Sequence, residues 1–470
     1  MNFLQATIIK TNDILWSYVL IALLIFMGLY FSFKTKFVQF RYLKEMISLL
    51  TKSAGKSISK SDKKKGVSSF QAFCISTASR VGTGNLAGVA IAIALGGPGA
   101  IFWMWLIALI GAASGFIEST LAQIYKVKAK HGYRGGPAYY MEKALNKRWM
   151  GIIFSILITI CFGLVFNSVQ SNTISLAFQE AFGVKTVITG LVLSIFTAII
   201  IFGGVQSIAK VSEKLVPIMA IAYLLVAAFV IVKNFSSIPS VFLLIFRNAF
   251  GFEQALGGGM GVAMMMGIKR GLFSNEAGMG SAPNAAATAD VSHPVEQGLI
   301  QTLGVFTDTI LICSATAFII LLSGTYTTKG LTGIQLTQNA LSSQVGSWGN
   351  TFIAICILLF AFSSIIGNYY YGETNIEFIN SNKAYVFLYR IAVVIMVFIG
   401  SVAKIQIVWD LADLFMGLMA IINLIAIFLL GKIAFAALND YHIQKKQGKN
   451  PVFTKNSIKG LKNVECWDEE

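Results

Sequence analysis

Long apolar runs recur along the chain, parted by short polar breaks. They fall near 14–33, 69–95, 100–125, 150–178, 186–204, 211–232, 258–290 (interrupted), 296–323, 348–372, 384–402 and 406–431. Each approaches the roughly 20 residues a helix needs to cross a bilayer, which predicts about eleven spans. The runs are continuous and do not alternate every second residue, so the pattern favours helices over a barrel. Segment 234–257 is too polar to span comfortably and reads as an interfacial helix. Segment 324–347 is rich in Gly, Thr, Ser and Gln and reads as a loop of the kind that acts as a lid. The first run lacks a basic leader and a small-x-small cleavage site, so it reads as an uncleaved span and not a signal peptide.

Composition agrees. Asp, Glu, Lys and Arg make up 12% of the 470 residues, where a soluble chain carries about 25%. The mean hydropathy is +0.71. These values exclude a disordered chain, a coiled coil and a disulfide-stapled secreted module. The net charge of +16 would suggest nucleic acid in a soluble protein. Here its distribution supplies another cause. Segment 34–68 holds Lys34, Lys36, Arg41, Lys44, Lys52, Lys56, Lys60, Lys63, Lys64 and Lys65 against Glu45 and Asp62. Segment 126–148 and the tail after 432 are also basic, whereas the intervening loops on the other side are sparse in charge. One topology satisfies all of them: N-terminus outside, C-terminus cytoplasmic, in a cell membrane.

Little points to an enzyme. Cys74, Cys161, Cys313 and Cys356 lie in apolar runs, Cys466 lies in the tail, and no C-x-x-C pair exists. His131, His293 and His442 fall in loops or the tail. The chain lacks HExxH, GxSxG and a phosphate loop, which disfavours an ATP-driven pump.

Two spans are unusual. The first contains STASRVGTGNLAG, with Gly82, Gly84 and Gly88 among Ser79, Thr83 and Asn85. Glycine inside a helix costs about 1 kcal/mol, and a GTGN stretch offers backbone groups to a ligand at close range. The alternative is small-residue helix packing from Gly84 to Gly88. The second contains KRGLFSNEAGMGSAP, where Gly271 and Gly278 to Gly280 flank Phe273, Ser274, Asn275, Glu276 and Ala277. It reads either as a second discontinuous helix or as a loop between two spans. Lys269, Arg270 and Glu276 are costly in lipid and should face protein or water. The first broken helix opens a block of five spans, 69–232, and the second opens another, 258–431. Loop parity gives the two blocks opposite orientation, which points to an inverted-repeat secondary transporter. The remaining divisions are an extra N-terminal helix (1–33), a basic cytoplasmic loop (34–68), an outer interfacial segment (233–257) and a cytoplasmic tail (432–470).

Other polar residues sit on suitable spans. Asn167, Gln170 and Ser171 share one helix face and either line a pocket or bond between helices. Asp308 is a candidate for a cation site or proton relay, or else a buried partner for Lys269 or Arg270. Ser363 and Ser364 offer hydroxyl ligands to Na⁺, a hard cation, or bond back to their own helix. Asp410 and Asp413 read as outer-half or packing residues. Glu118 reads as a structural partner of a basic loop residue such as Arg134.

Three stretches carry a resemblance: SRVGTGNLAGVAIAIALGGPGAIFWMW, GYRGGPAYYMEKAL and KRGLFSNEAGMGSAPNAAATADVSHPVEQG. The chain resembles the alanine/glycine:cation symporter family over nearly its whole length. That resemblance implies an all-α, five-plus-five inverted repeat like the bacterial leucine transporter, preceded by one extra helix. It implies import of alanine or glycine coupled to Na⁺, or in some relatives H⁺; a glutamine or serine transporter and a channel are the alternatives. By the same resemblance, amides around Gly82, Thr83 and Gly84 hold the substrate carboxylate, and Phe273 to Met279, with Ser274, Asn275, Glu276 and Gly278, supply the other wall. Carbonyls of the broken helices or Gln170 would accept from the amine. Carbonyls of Ala78 and Val81 with Ser363 and Ser364 form a sodium site, and Asn85 matches a ligand of a second. Arg80 stands where that fold has an apolar residue, a departure that bears on the second sodium site.

Overall fold

The computed structural model describes residues 3–58, 67–129, 132–251 and 259–467. Lys60, Asp62, Lys63, Lys64 and Lys65 of the basic segment, His131 and the end of the interfacial segment lie outside them. Eight helices are long and apolar enough to cross a membrane: Gln5–Lys34, Ala100–Ile124, Arg148–Phe182, Ser212–Lys233, Pro294–Ser323, Trp348–Ile379, Lys383–Val402 and Gln406–Lys446. A ninth crossing is the bent pair Ser69–Arg80 and Gly84–Gly96, whose halves meet at 48°. The other two expected spans take different forms. Thr186–Ile201 has only 16 residues. The run 258–290 divides into Met260–Asn275 and Ala282–Ala286. Among the described residues the strands are one small hairpin, Val127–Ala129 paired with Gly132–Arg134.

Helices dominate because backbone N–H and C=O groups in hydrocarbon must be satisfied within the segment. Lipid supplies no hydrophobic drive between helices, so close approach at small residues matters. On Thr186–Ile201 the large residues Val187, Ile188, Leu191, Ile195, Phe196 and Ile199 are exposed to the surroundings. Gly190 on the opposite face meets Ser401: a Cβ there would lie 2.7 Å from the Ser401 Cβ. The extra helix packs in the same way. A Cβ on Gly417 would lie 2.8 Å from Leu20. Trp16 Nε1 donates to the Asp413 carbonyl at 3.3 Å and Asn12 Nδ2 to the Asp410 carbonyl at 2.8 Å, tying this helix to the last span.

Three expectations need correction. Segment 324–347 is not simply a loop: Gly333–Val345 is a helix, buried along Ile334, Leu336, Thr337, Gln338 and Leu341. Thr337 Oγ1 donates to the Leu86 carbonyl at 3.0 Å. Leu86 lies in a wide π-helical turn, Gly84–Gly88, and such turns recur at functional sites. The helix of the last span does not stop near 431; it continues to Lys446. The tail beyond it is not a solvated extension. It folds back so that Phe453 N donates to the Ser292 carbonyl at 2.9 Å and Trp467 Nε1 to the Gln123 carbonyl at 3.0 Å.

Candidate functional site

The site begins at the first break. Ser68 and Gln71 form a capping box that starts the helix Ser69–Arg80. It stops because Val81 turns extended, at φ −80° and ψ 91°. Gly82 follows, and only glycine fits. A Cβ there would lie 2.2 Å from Ser364 Oγ and 2.8 Å from Gln170 Oε1. A Gly82→Ala protein is therefore expected to reach the membrane yet lose most uptake, since overpacking costs about 1–3 kcal/mol and falls on the break itself. Uptake normalised to membrane-inserted protein checks this; wild-type rates would remove Gly82 from the site.

Two adjacent amides at the break hold side-chain oxygens. Gly82 N donates to Asn85 Oδ1 at 2.9 Å, and Thr83 N to Gln170 Oε1 at 2.9 Å. Oxygens also converge at the break. Ser364 Oγ lies 2.9 Å from the Ala78 carbonyl and 3.4 Å from that of Val81. Ser363 Oγ lies 3.4 Å from the Ala78 carbonyl. All four oxygens are neutral and buried, a donor set that suits a hard cation.

The second break faces the first. A Cβ on Gly84 would lie 3.1 Å from Phe273 Cδ1 and 3.1 Å from Ser274 Cα. The helix Met260–Asn275 ends in a left-handed run: Glu276 at φ 57°, Gly278 at 83° and Gly280 at 86°. Asn275 Oδ1 accepts from Ala277 N at 3.0 Å. Of the two buried glutamates, Glu118 does different work from that expected. Glu276 accepts from Ser79 Oγ at 2.8 Å and Ser281 Oγ at 2.6 Å, joining the two breaks. Glu118 does not pair with Arg134, which instead meets Glu377 at 2.9 Å. Glu118 accepts from Gly278 N at 3.1 Å, Gly280 N at 3.0 Å and Asn423 Nδ2 at 2.7 Å, satisfying amides that the unwound backbone leaves free. The Gly278 amide is thus already committed to Glu118, and Met279 N bonds the Glu276 carbonyl at 3.2 Å.

Asp308 lies between the breaks. It accepts from Asn85 Nδ2 at 2.7 Å, Ser274 Oγ at 2.8 Å and Thr309 Oγ1 at 2.8 Å. It is not the partner of Lys269 or Arg270. Both of those reach Asp413 Oδ2, at 3.1 Å and 2.7 Å, so Asp413 ties the last span to the second broken helix. Ser171 turns away from the site, toward Gly400. Asn167 donates to the Gly163 carbonyl in its own helix at 2.9 Å and leaves Oδ1 buried without a partner. Arg80 is buried; Nη1 bonds the Gln301 carbonyl at 3.2 Å, while Nε and Nη2 find no protein partner.

An aromatic wall went unnoticed in the sequence. Phe166, Phe273 and Trp409 stand in series, with ring centroids 4.5 Å and 4.8 Å apart. Trp409 also approaches Gly88, where a Cβ would lie 3.9 Å from Cη2. Arg270 also packs against Trp409, 4.4 Å from its ring. Phe166 was findable, one turn before Gln170 on the same face.

Two interrupted helices in mutual contact at buried polar centres define a secondary transporter, and solved structures share the fold. A Na⁺-coupled sialic acid symporter aligns with a TM-score of 0.52 at 14% identity, over 82% of this chain and 84% of that one. A manganese transporter of Eremococcus coleocola aligns at 0.51 and 13% identity, over 81% and 82%. The sequence pattern of the sodium:alanine symporter family matches residues 1–455, and the chain belongs to that family. Its relatives include the probable sodium/glutamine symporter GlnT of Bacillus subtilis, 62% identical over 97% of this chain and 94% of the relative. The amino-acid carrier protein AlsT of the same organism is 56% identical over 100% and 99%. The sodium/alanine symporter AgcS of Methanococcus maripaludis is 38% identical over 93% and 98%.

Proposed function

We propose that this protein imports a small neutral amino acid, alanine or glycine, together with Na⁺ by alternating access. The observation that carries the reading is the first break, where two adjacent amides meet side-chain oxygens and four neutral oxygens converge beside them. Amides of Gly82 and Thr83 would take the substrate carboxylate from Asn85 and Gln170, freeing Gln170 Oε1 to accept from the amine. Ala78, Val81, Ser363 and Ser364 would ligate Na⁺. Asp308 and Asn85 supply charge and oxygen at the opposite edge. Ser274 and Phe273 form the wall contributed by the second break, with the rings of Phe166 and Trp409 packed against Phe273.

In this reading, 69–232 and 258–431 are the two inverted repeats of a cell-membrane protein, and the basic segments favour a cytoplasmic C-terminus. The names borne by GlnT and by AgcS favour different substrates, so glutamine is the second reading.

Radiolabelled alanine, glycine and glutamine are to be offered to proteoliposomes with an inward Na⁺ gradient or with K⁺ only. Accumulation of alanine or glycine with Na⁺ alone is expected. Accumulation of glutamine in preference to both would overturn the small-substrate assignment, and uptake indifferent to Na⁺ would overturn the coupling. In Ser364→Ala protein the half-saturating Na⁺ concentration is expected to rise about ten- to a hundredfold, the worth of one hydrogen-bonding oxygen on a charged group. An unchanged Na⁺ dependence would remove Ser364 from the site.

A further inference from the structure

The tail beyond Lys446 bridges parts of the molecule that alternating access would have to separate. On one side it grips the end of the span Ala100–Ile124 and the chain that follows the second break. Trp467 Nε1 donates to the Gln123 carbonyl at 3.0 Å, and Phe453 N to the Ser292 carbonyl at 2.9 Å. Gln123 Nε2 and Lys126 Nζ in turn donate to the Ala289 carbonyl, each at 3.0 Å. Lys126 is buried between two rings, 4.7 Å from that of Trp467 and 4.2 Å from that of Tyr133. Burial pushes its ammonium from the usual lysine range down to about 8, against the nearby charges of Asp290 and Glu296. The Phe453 ring lies 5.3 Å from Trp467 and 5.2 Å from His293.

On the other side the tail grips the helix Pro137–Lys143. Asn463 Nδ2 donates to the Lys143 carbonyl at 2.8 Å, and Glu465 pairs with the Lys143 ammonium. That helix meets the second break directly: a Cβ on Gly136 would lie 2.5 Å from Asn284 Oδ1. The tail therefore ties the chain beyond the second break, at Ser292, and the end of the span at Gln123 to the helix Pro137–Lys143.

We infer that residues 447–467 are the latch of the cytoplasmic gate, and that Trp467 is the positioning residue that seats it on Gln123 and Lys126. The inference rests on the alternating-access reading above. Each transport cycle would release the tail from one side, so the state of the latch should follow the ion and substrate that drive the cycle. The latch also carries its own reporter. Cys466 adjoins Trp467 and is partly exposed, whereas Cys74, Cys161, Cys313 and Cys356 are buried.

The test measures maleimide labelling of Cys466 in the purified full-length protein, without Na⁺, with Na⁺, and with Na⁺ plus L-alanine; Cys466→Ser protein supplies the background. Transport is measured on the same preparation, so a failure of the symport reading is seen separately. The labelling rate is expected to change severalfold among the three conditions. In Trp467→Ala protein, labelling should be fast in all three and efflux of preloaded alanine should rise with uptake retained. Trp467→Phe, which keeps a ring over Lys126 but loses the indole N–H, should lie between. Equal Cys466 labelling in all conditions by a transporting wild-type protein would overturn the latch, as would a Trp467→Ala protein whose uptake and efflux fall together.

Discussion

Asp308→Asn protein is expected to accumulate in the membrane at normal levels and to lose Na⁺-driven uptake by more than about a hundredfold. The substitution preserves shape. The carboxylate now accepts from the Asn85 amide on the first broken helix, from Ser274 on the second and from Thr309 on its own span. An asparagine at 308 can turn its oxygen toward Asn85 Nδ2, which can only donate, and its amide toward the two hydroxyls, which can rotate to accept. The hydrogen-bond network survives but the buried negative charge is gone. Hydrogen bonds to an ionised acceptor are about twice as strong as neutral ones, and a cation brought between the breaks loses its countercharge. Uptake against Na⁺ concentration, normalised to inserted protein, separates the possibilities. A Na⁺ dependence like that of the wild type would make Asp308 a structural tie and nothing more. Asp308→Ala is a poorer probe, because it removes the acceptor that three buried donors share, at about 1–3 kcal/mol for each donor left unsatisfied.

The parts of the fold legible in the sequence are those set by the solvent. Continuous apolar runs locate the spans because hydrocarbon tolerates little else. The two breaks were visible as glycine runs, for a local reason: Gly278 and Gly280 adopt positive φ, and Gly82 has no room for a Cβ. Ser363 and Ser364 could be singled out because hydroxyls in an apolar run need partners. Hydropathy indicates that a charge is buried but not which residue receives it. Glu118 was assigned to Arg134 by nearness in sequence, whereas its acceptors serve Gly278 and Gly280, some 160 residues later. Lys269 and Arg270 were offered Asp308, the nearer intramembrane acid, yet Asp413 on the last span takes both.

The aromatic wall was hidden for a different reason. Phe166 is marked only by Gln170, one turn on, and Trp409 is an apolar residue in an apolar run, with no cue that separates a pocket-facing ring from a lipid-facing one. The helix Gly333–Val345 was masked by its own composition. Thr337 and Gln338 made the segment look like a polar loop, but they are buried, spending their hydrogen bonds on the Leu86 and Ala177 carbonyls. The tail looked like a solvated extension because its charges outnumber its two anchoring rings, Phe453 and Trp467.

Glu118 gives the second large effect, and its variants separate packing from hydrogen bonding. Its two oxygens accept from two backbone amides and from Asn423, all of them buried. The amides cannot turn away, since Gly278 and Gly280 are held at φ 83° and 86°. In Glu118→Gln one acceptor becomes a donor that must face a backbone N–H or Asn423. Rotating the new amide moves the conflict from one partner to another without removing it. One unsatisfied buried donor costs about 1–3 kcal/mol, so this protein should fold, unfold at a lower temperature and transport slowly. Glu118→Ala leaves three donors stranded beside a new cavity, a loss of several kcal/mol, and should fail to accumulate. Glu118→Asp keeps the charge but draws it back by one methylene, so it should hold one glycine amide and release the other, with stability between the two. Detergent-solubilised protein, heated and followed by size-exclusion chromatography, gives the order: wild type above Asp, Gln below wild type, Ala lowest. If Glu118→Gln matches the wild type in both thermal profile and uptake, the second break is held by its own backbone and Asn423, and the carboxylate has no part in keeping it unwound.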